Sequence, residues 1–233
     1  MLKKVLFQPI RDIIIDRNIG FESTVCGVSG ETASEIFDYY AGNRVEFDKW
    51  AICESINKGI PLLKPDQKLF INIRSETFEH GGIILADIDP NKVIIEVSEV
   101  TEITNPVRDS LMDLANRGFR FAIDDFGVGF SNINRLILDW FKPTWLKLDL
   151  TLIEQVDTNP RIEIIVKYIL DMCSELGIEL VAEGVETKNQ LLKLMKIGVR
   201  FAQGYYLGRP DDPKIIIDSQ SDLQISGDRF FRL

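Results

Sequence analysis

The chain has 233 residues, with 36 Asp and Glu against 27 Lys and Arg, a formal net charge of −9 and a single histidine, His80. The 45% apolar and 27% charged content is that of a globular protein, and the acidic balance excludes a general binder of nucleic acid or anionic membrane, though not a small phosphorylated ligand reached through metal ions. One histidine argues against Ser-His-Asp, Cys-His or His-rich chemistry, and three cysteines without CxxC spacing argue for a reducing compartment without zinc, so any metal is expected to be hard and oxygen-bound.

The chain opens with MLKKVLFQPI, which meets Arg11 and Asp12 before a signal-peptide core can form, and no later window reaches the roughly 20 apolar residues of a membrane span; the expectation is a cytoplasmic protein. A β-rich run at 5–10 is followed by one at 20–25 that holds Glu22. Residues 46–58 put Phe47, Trp50, Ala51 and Ile56 at helical spacing. Strand-like runs then fall at 69–73, holding Asn72, and at 93–97, holding Glu96 with Glu99 just beyond. A helix over 105–117 follows Thr104 as N-cap, and a run at 119–123 is closed by Asp124 and Asp125. Lys147 lies in 144–148. The helix over 160–176 shows Ile164, Ile165, Tyr168, Ile169, Met172 and Cys173 in an i, i+4 rhythm and stops at Gly177. Glu183 closes 179–182, a helix over 187–197 ends at Gly198, and Gln203 closes 199–202. The polar stretch 211–233 is expected to be a C-terminal tail on a single domain over 1–210.

Alternating strands and helices predict an α/β fold with parallel strands and helices outside. A (β/α)8 barrel and an open doubly wound sheet both satisfy the pattern, but the first strand has no glycine-rich loop after it, which disfavours the dinucleotide-binding sheet.

A polar group inside an apolar strand costs several kcal/mol (on the order of 2–7) unless it is paired or binds a cation. Seven strands ending in such groups is a different matter from one, because the ends of barrel strands converge on one face. Carboxylates gathered there call for cations, and oxygen ligands suit Mg²⁺, Mn²⁺ or Ca²⁺. Adjacent side chains on a strand point to opposite faces, so Asp124 and Asp125 share a site only if the strand ends between them, an exit that Gly127 and Gly129 permit. Otherwise the pair is an acidic turn. Lys147 either orients an attacking water or makes a salt bridge to Asp125 or Asp149.

These residues stand within FQPI, GFES, FINI, IIEVSE, IDDFGVGFSN, WLKLD, VAEGVE and QGYYLGRP, in that order. From about residue 7 to 210 the chain resembles the EAL-domain family of cyclic di-GMP phosphodiesterases. The resemblance implies a TIM-like barrel with one antiparallel strand and hydrolysis of cyclic di-GMP to linear pGpG with two Mg²⁺ or Mn²⁺ ions. It implies Glu22, Asn72, Glu96, Asp124 and Asp125 as metal ligands, Asp124 bridging. Lys147, Glu183 and Glu22 are implied in catalysis, Gln203, Asn72 and Gln8 in substrate binding. Glu99 is implied as the anchor of the loop 126–133, which the family associates with dimer contacts. A homodimer, a sensor or signalling partner, and no DNA or membrane partner are the further expectations.

Two departures stand out. The family's arginine four residues after Glu22 is Cys26 here, and the segment 27–45 is short. They leave open a cyclic di-GMP receptor with weak or no turnover, or an interaction module. An enolase-like barrel also gathers carboxylates and lysines, but one strand-end lysine beside paired aspartates fits phosphodiester hydrolysis better.

Overall fold

The computed structural model describes residues 1–80, 85, 87–98, 101–127 and 133–216. Eight strands close into a barrel in chain order: β1 (Lys3–Asp12), β2 (Arg17–Gly27), β3 (Lys68–Asn72), β4 (Val93–Ser98), β5 (Arg120–Phe126), β6 (Trp145–Leu148), β7 (Glu179–Ala182) and β8 (Phe201–Ala202). Each expected strand is present, and the sheet is the closed barrel rather than the open form. β1 is antiparallel to β2 and β8, while the remaining neighbours are parallel.

Asp12 secures that reversed strand. Its buried carboxylate accepts the backbone N–H groups of Ile14 and Ile15 at 3.0 and 3.3 Å, shaping the β1–β2 turn. It also pairs with Arg200 at 2.7 Å, next to β8. The hairpin turn and the closure of the barrel therefore share one acid.

The helices are α1 (Ala33–Tyr39), α2 (Arg44–Gly59), α3 (Ser75–His80), α4 (Asn105–Asn116), α5 (Ile133–Leu136), α6 (Leu150–Ile153), α7 (Pro160–Leu176) and α8 (Lys188–Ile197). Local chemistry sets several ends. Thr187 and Gln190 form a capping box for α8, and Gly177 and Gly198 end α7 and α8 in the left-handed region. Thr104 takes the N-cap position of α4 as expected, but its hydroxyl donates to Glu79 at 3.0 Å instead of capping the helix. On α7 the rhythm through Ile164, Ile165 and Tyr168 marks an exposed face, and the buried one carries Val166 and Cys173, with Ile169, Leu170 and Met172 packed alongside. Apolar residues on both sides of this helix left periodicity unable to say which side faces the barrel. No described helix is long and apolar enough to cross a membrane.

Two apolar clusters result. The larger fills the space between barrel and helices. The smaller plugs the barrel and holds Ile10, Phe70, Ile94, Ala122, Val181 and Phe201, with Trp145 packed against it. Trp145 lies 5.4 Å from Phe70 and 5.3 Å from Phe201, centroid to centroid. This layer is the floor of one barrel mouth.

The expected tail begins attached to the barrel. Phe7 and Asp211 exchange backbone hydrogen bonds at 2.9 and 3.0 Å, and Ile216 is buried. Residues 217–233 lie outside the described residues.

Candidate active site

Side chains two positions apart on a strand share a face. One step above the apolar floor, Phe70 gives way to Asn72, Ile94 to Glu96, Ala122 to Asp124, Trp145 to Lys147, Val181 to Glu183 and Phe201 to Gln203. β2 contributes Glu22, two residues after Gly20. Because β1 runs the other way, its polar residue comes before the apolar one, Gln8 before Ile10. The eight residues form a polar ring above the plug.

Lys147 is its hub. Its Nζ lies 2.7 Å from Glu96, 2.7 Å from Glu183, 3.0 Å from Glu22 and 3.1 Å from Asp124. The salt bridge to Asp125 or Asp149 considered from sequence is not the arrangement found. The Asn72 amide donates to Glu96 at 2.7 Å and to Glu22 at 3.2 Å. Gln203 donates to Glu22 at 2.7 Å and to Gln8 at 3.0 Å, and Gln8 donates to the Gly208 carbonyl at 3.0 Å.

Asp125 joins the ring by another route than expected. β5 does not end between the two aspartates but continues to Phe126, and the β5–β6 register shifts between Ile123 and Phe126. Asp125 sits at φ +56°, in the left-handed region. That extra residue breaks the alternation and turns both carboxylates to one side. Such a conformation costs a non-glycine residue about 1–3 kcal/mol. Gly127, at φ +112°, completes the exit, and a Cβ there would lie 2.7 Å from Leu152. Glu99 and residues 128–132 lie outside the described residues. Next to that segment, buried Arg135 donates to the carbonyls of Ser98 and Thr101 at 2.7 and 2.6 Å.

The electrostatics are lopsided: Glu22, Glu96, Asp124, Asp125 and Glu183 share the mouth with Lys147. Burial, then the charge of Glu22, raises the Glu96 carboxyl well above its ordinary range. Glu183 is raised by burial and by Asp124 and Glu22. Burial and then Asp124 push Asp125 up to about 6. Burial opposes the Lys147 ammonium, but Asp124, Glu183, Glu22 and Glu96 override it and hold its pKa well above the ordinary lysine value.

The donor set suits a hard cation. Asp124, Asp125 and Glu183 each offer a carboxylate oxygen, all within 4.8 Å of one another, so the three could hold a metal ion. Among the described residues, the buried Glu96 Oε1 and Asp124 Oδ1 meet only the Lys147 ammonium, at 2.7 and 3.1 Å. These are oxygens a cation would satisfy.

Two clefts flank the ring. One of about 440 Å³ is lined by Asn72, Asp124 and Asp125, with Thr24, Arg74 and Phe37 around them. The other, of about 250 Å³, is lined by Gln8, Glu22, Glu183, Gln203 and Tyr205. Cys26, partly buried on β2 opposite Lys4, is not among the residues lining either. Sequence reasoning missed Arg74, Phe37 and Arg135. The one available signal was the Thr32–Glu35 capping box, which places α1 and with it Phe37.

The EAL domain family profile matches residues 3–210. The cyclic di-GMP phosphodiesterase RocR of Pseudomonas aeruginosa is 34% identical over 133 residues, covering 56% of this chain and 33% of the relative. The cyclic di-GMP phosphodiesterase PdeB of Shewanella oneidensis is 39% identical over 158 residues, covering 62% and 18%. The match thus spans a third or less of these relatives' own length. Among solved structures, the manganese/cy-diGMP complex of Klebsiella pneumoniae BlrP1 superposes with a TM-score of 0.82 at 28% identity, over 91% of this chain and 57% of the other. The c-di-GMP complex of the PaMucR phosphodiesterase gives 0.81 at 25%, over 92% and 94%.

Proposed function

The chain belongs to the EAL-domain family, and from that premise we propose that it hydrolyses one phosphodiester bond of cyclic di-GMP, releasing linear pGpG. The observation that carries this reading is the ring of one polar side chain per strand, five carboxylates in all with Asp125, set between two clefts. A cyclic dinucleotide spans such a mouth, with a base directed to either side and a phosphodiester over the carboxylates.

We assign Glu22, Asn72, Glu96, Asp124 and Asp125 to holding two divalent cations, Mg²⁺ or Mn²⁺. When bound, such cations offset the charge of the phosphodiester and lower the pKa of a water. Asn72 supplies an oxygen without adding charge. Lys147 is buried, kept protonated by its four carboxylates and free of rotational choice. Once cations engage these carboxylates, an N–H of Lys147 would be released to donate to the hydrolytic water and fix its line of attack. Glu183 accepts from that water on the opposite side, and Glu22 shares the task while ligating. Gln203 and Gln8 hold Glu22 in place and present amide groups to the substrate in the smaller cleft. Glu99 is assigned to anchoring the loop after Asp125, and a homodimer and a signalling partner remain part of the proposal.

The test is chromatography of cyclic di-GMP incubated with purified protein and Mn²⁺ or Mg²⁺. pGpG is expected, and Asp124→Asn is expected to lower the rate at least about a hundredfold, because the ring loses an anionic oxygen at its most shared position. An unchanged rate in that variant would remove the assignment.

A further inference from the structure

Arg74 follows β3 two residues after Asn72 and lines the larger cleft with Asp124 and Asp125. Its backbone N–H donates to Asp48 at 3.2 Å, which fixes the main chain. Its guanidinium sits over the Phe37 ring of α1, the central carbon 3.7 Å from the ring centroid. A cation–π contact of this kind holds the group without using its N–H donors. The nearby acids are engaged elsewhere: Asp48 accepts the backbone N–H, and Glu76 pairs with Arg44 at 3.2 Å. Asp48 is close enough for its carboxylate to feel the Arg74 charge, but among the described residues the guanidinium forms no ion pair or hydrogen bond with a carboxylate. A half-buried arginine with unspent donors, in a cleft shared with carboxylates, calls for an anion from outside the chain.

Resting on the reading of the ring as a cyclic dinucleotide hydrolase, we propose that Arg74 is a specificity-determining residue that binds the second phosphodiester of the substrate, the one not being cleaved. A substrate with two phosphodiesters places one over the carboxylate ring. The other then lies within the cleft, where the acidic surroundings would repel it without a fixed cation. The planar fork held on Phe37 supplies that cation pre-oriented.

The experiment is calorimetric titration of cyclic di-GMP in Ca²⁺, with the ligand checked intact afterwards, alongside steady-state turnover in Mn²⁺. Arg74→Gln should weaken binding about tenfold to a hundredfold and raise KM with kcat nearly unchanged. Arg74→Lys, which keeps the charge, should lose markedly less. Hydrolysis of bis(p-nitrophenyl) phosphate, with one phosphodiester and no second anion, should be unaffected by Arg74→Gln, which also reports that the ring is intact. Unchanged binding in Arg74→Gln would overturn the phosphate contact, and parallel loss on both substrates would overturn a role confined to the second phosphate. Binding without turnover by the wild-type chain would overturn the hydrolase reading while the affinity comparison still decides the case of Arg74. No binding at all would overturn both.

Discussion

Lys147 shows how much rests on single side chains. Four carboxylates lie within 3.1 Å of its Nζ, and Glu96 is fully buried among them. Removing the cation leaves these charges facing one another in a dry site. Lys147→Met is therefore expected to destabilise the metal-free protein by about 3–5 kcal/mol in urea unfolding, with much of the loss recovered on adding Mn²⁺. Survival of the metal-free variant at wild-type stability would mean the carboxylates are already neutral. Asp125 gives a pH test. Its folded pKa, raised by burial and by Asp124 to about 6, exceeds the unfolded value of about 3.9. The folded state thus binds the proton more tightly, and this contribution to stability is present below about pH 4 and lost as pH rises through about 6. The metal-free melting temperature should therefore fall across that window. The increment given by Mn²⁺ should grow across it, as the cation takes the proton's place. A flat increment would contradict the role of Asp125 in holding metal. The ring members other than Gln8 were legible as residues because each interrupts an apolar run. Arg74 was not, because an arginine in a loop carries no periodicity.

At the scale of elements, the exit of β5 makes the most specific demand. Gly127→Ala would place a Cβ 2.7 Å from Leu152 at a backbone angle of +112°. The expected cost is about 1–3 kcal/mol in equilibrium unfolding, with a larger proportional loss of Mn²⁺ affinity, since the displaced turn carries Asp125. Loss of stability with metal affinity unchanged would separate the turn from the site. Sequence placed both aspartates at the end of β5 but not the means of bringing them together. Alternation allows one carboxylate per face, and a bulge of one residue is invisible in a hydrophobicity pattern. The short helix α1 was hidden for a similar reason: seven residues give too little periodicity, and only its Thr32–Glu35 capping box announces it. On α7 the helix was legible but its inward face was not, since Ile169, Met172 and Cys173 of the same rhythm pack against the barrel. Ile164, Ile165 and Tyr168 satisfy the rhythm as well as the residues that pack, and contact with the barrel decides between the faces.

Over the whole molecule the fold and the site are one pattern read twice. Apolar residues plug the barrel, and two positions along the same strands a polar layer lines the mouth, with β1 obeying the rule in reverse because it runs antiparallel. That pattern was legible in seven strands from sequence, and Gln8 entered only through the family resemblance, since its place before Ile10 makes sense only once β1 is known to run backwards. Arg135, tying α5 to the end of β4, could not be inferred because its partners are backbone carbonyls, which no sequence pattern marks. The claim that joins these observations is that the ring gathers divalent cations against a phosphodiester. Its most direct test is quantification of pGpG from cyclic di-GMP by the purified chain, with Mn²⁺ and again with excess EDTA. Production of pGpG in Mn²⁺ that stops in EDTA is the predicted result. Intact cyclic di-GMP in Mn²⁺ at high protein concentration, or cleavage that EDTA leaves unaltered, would contradict it.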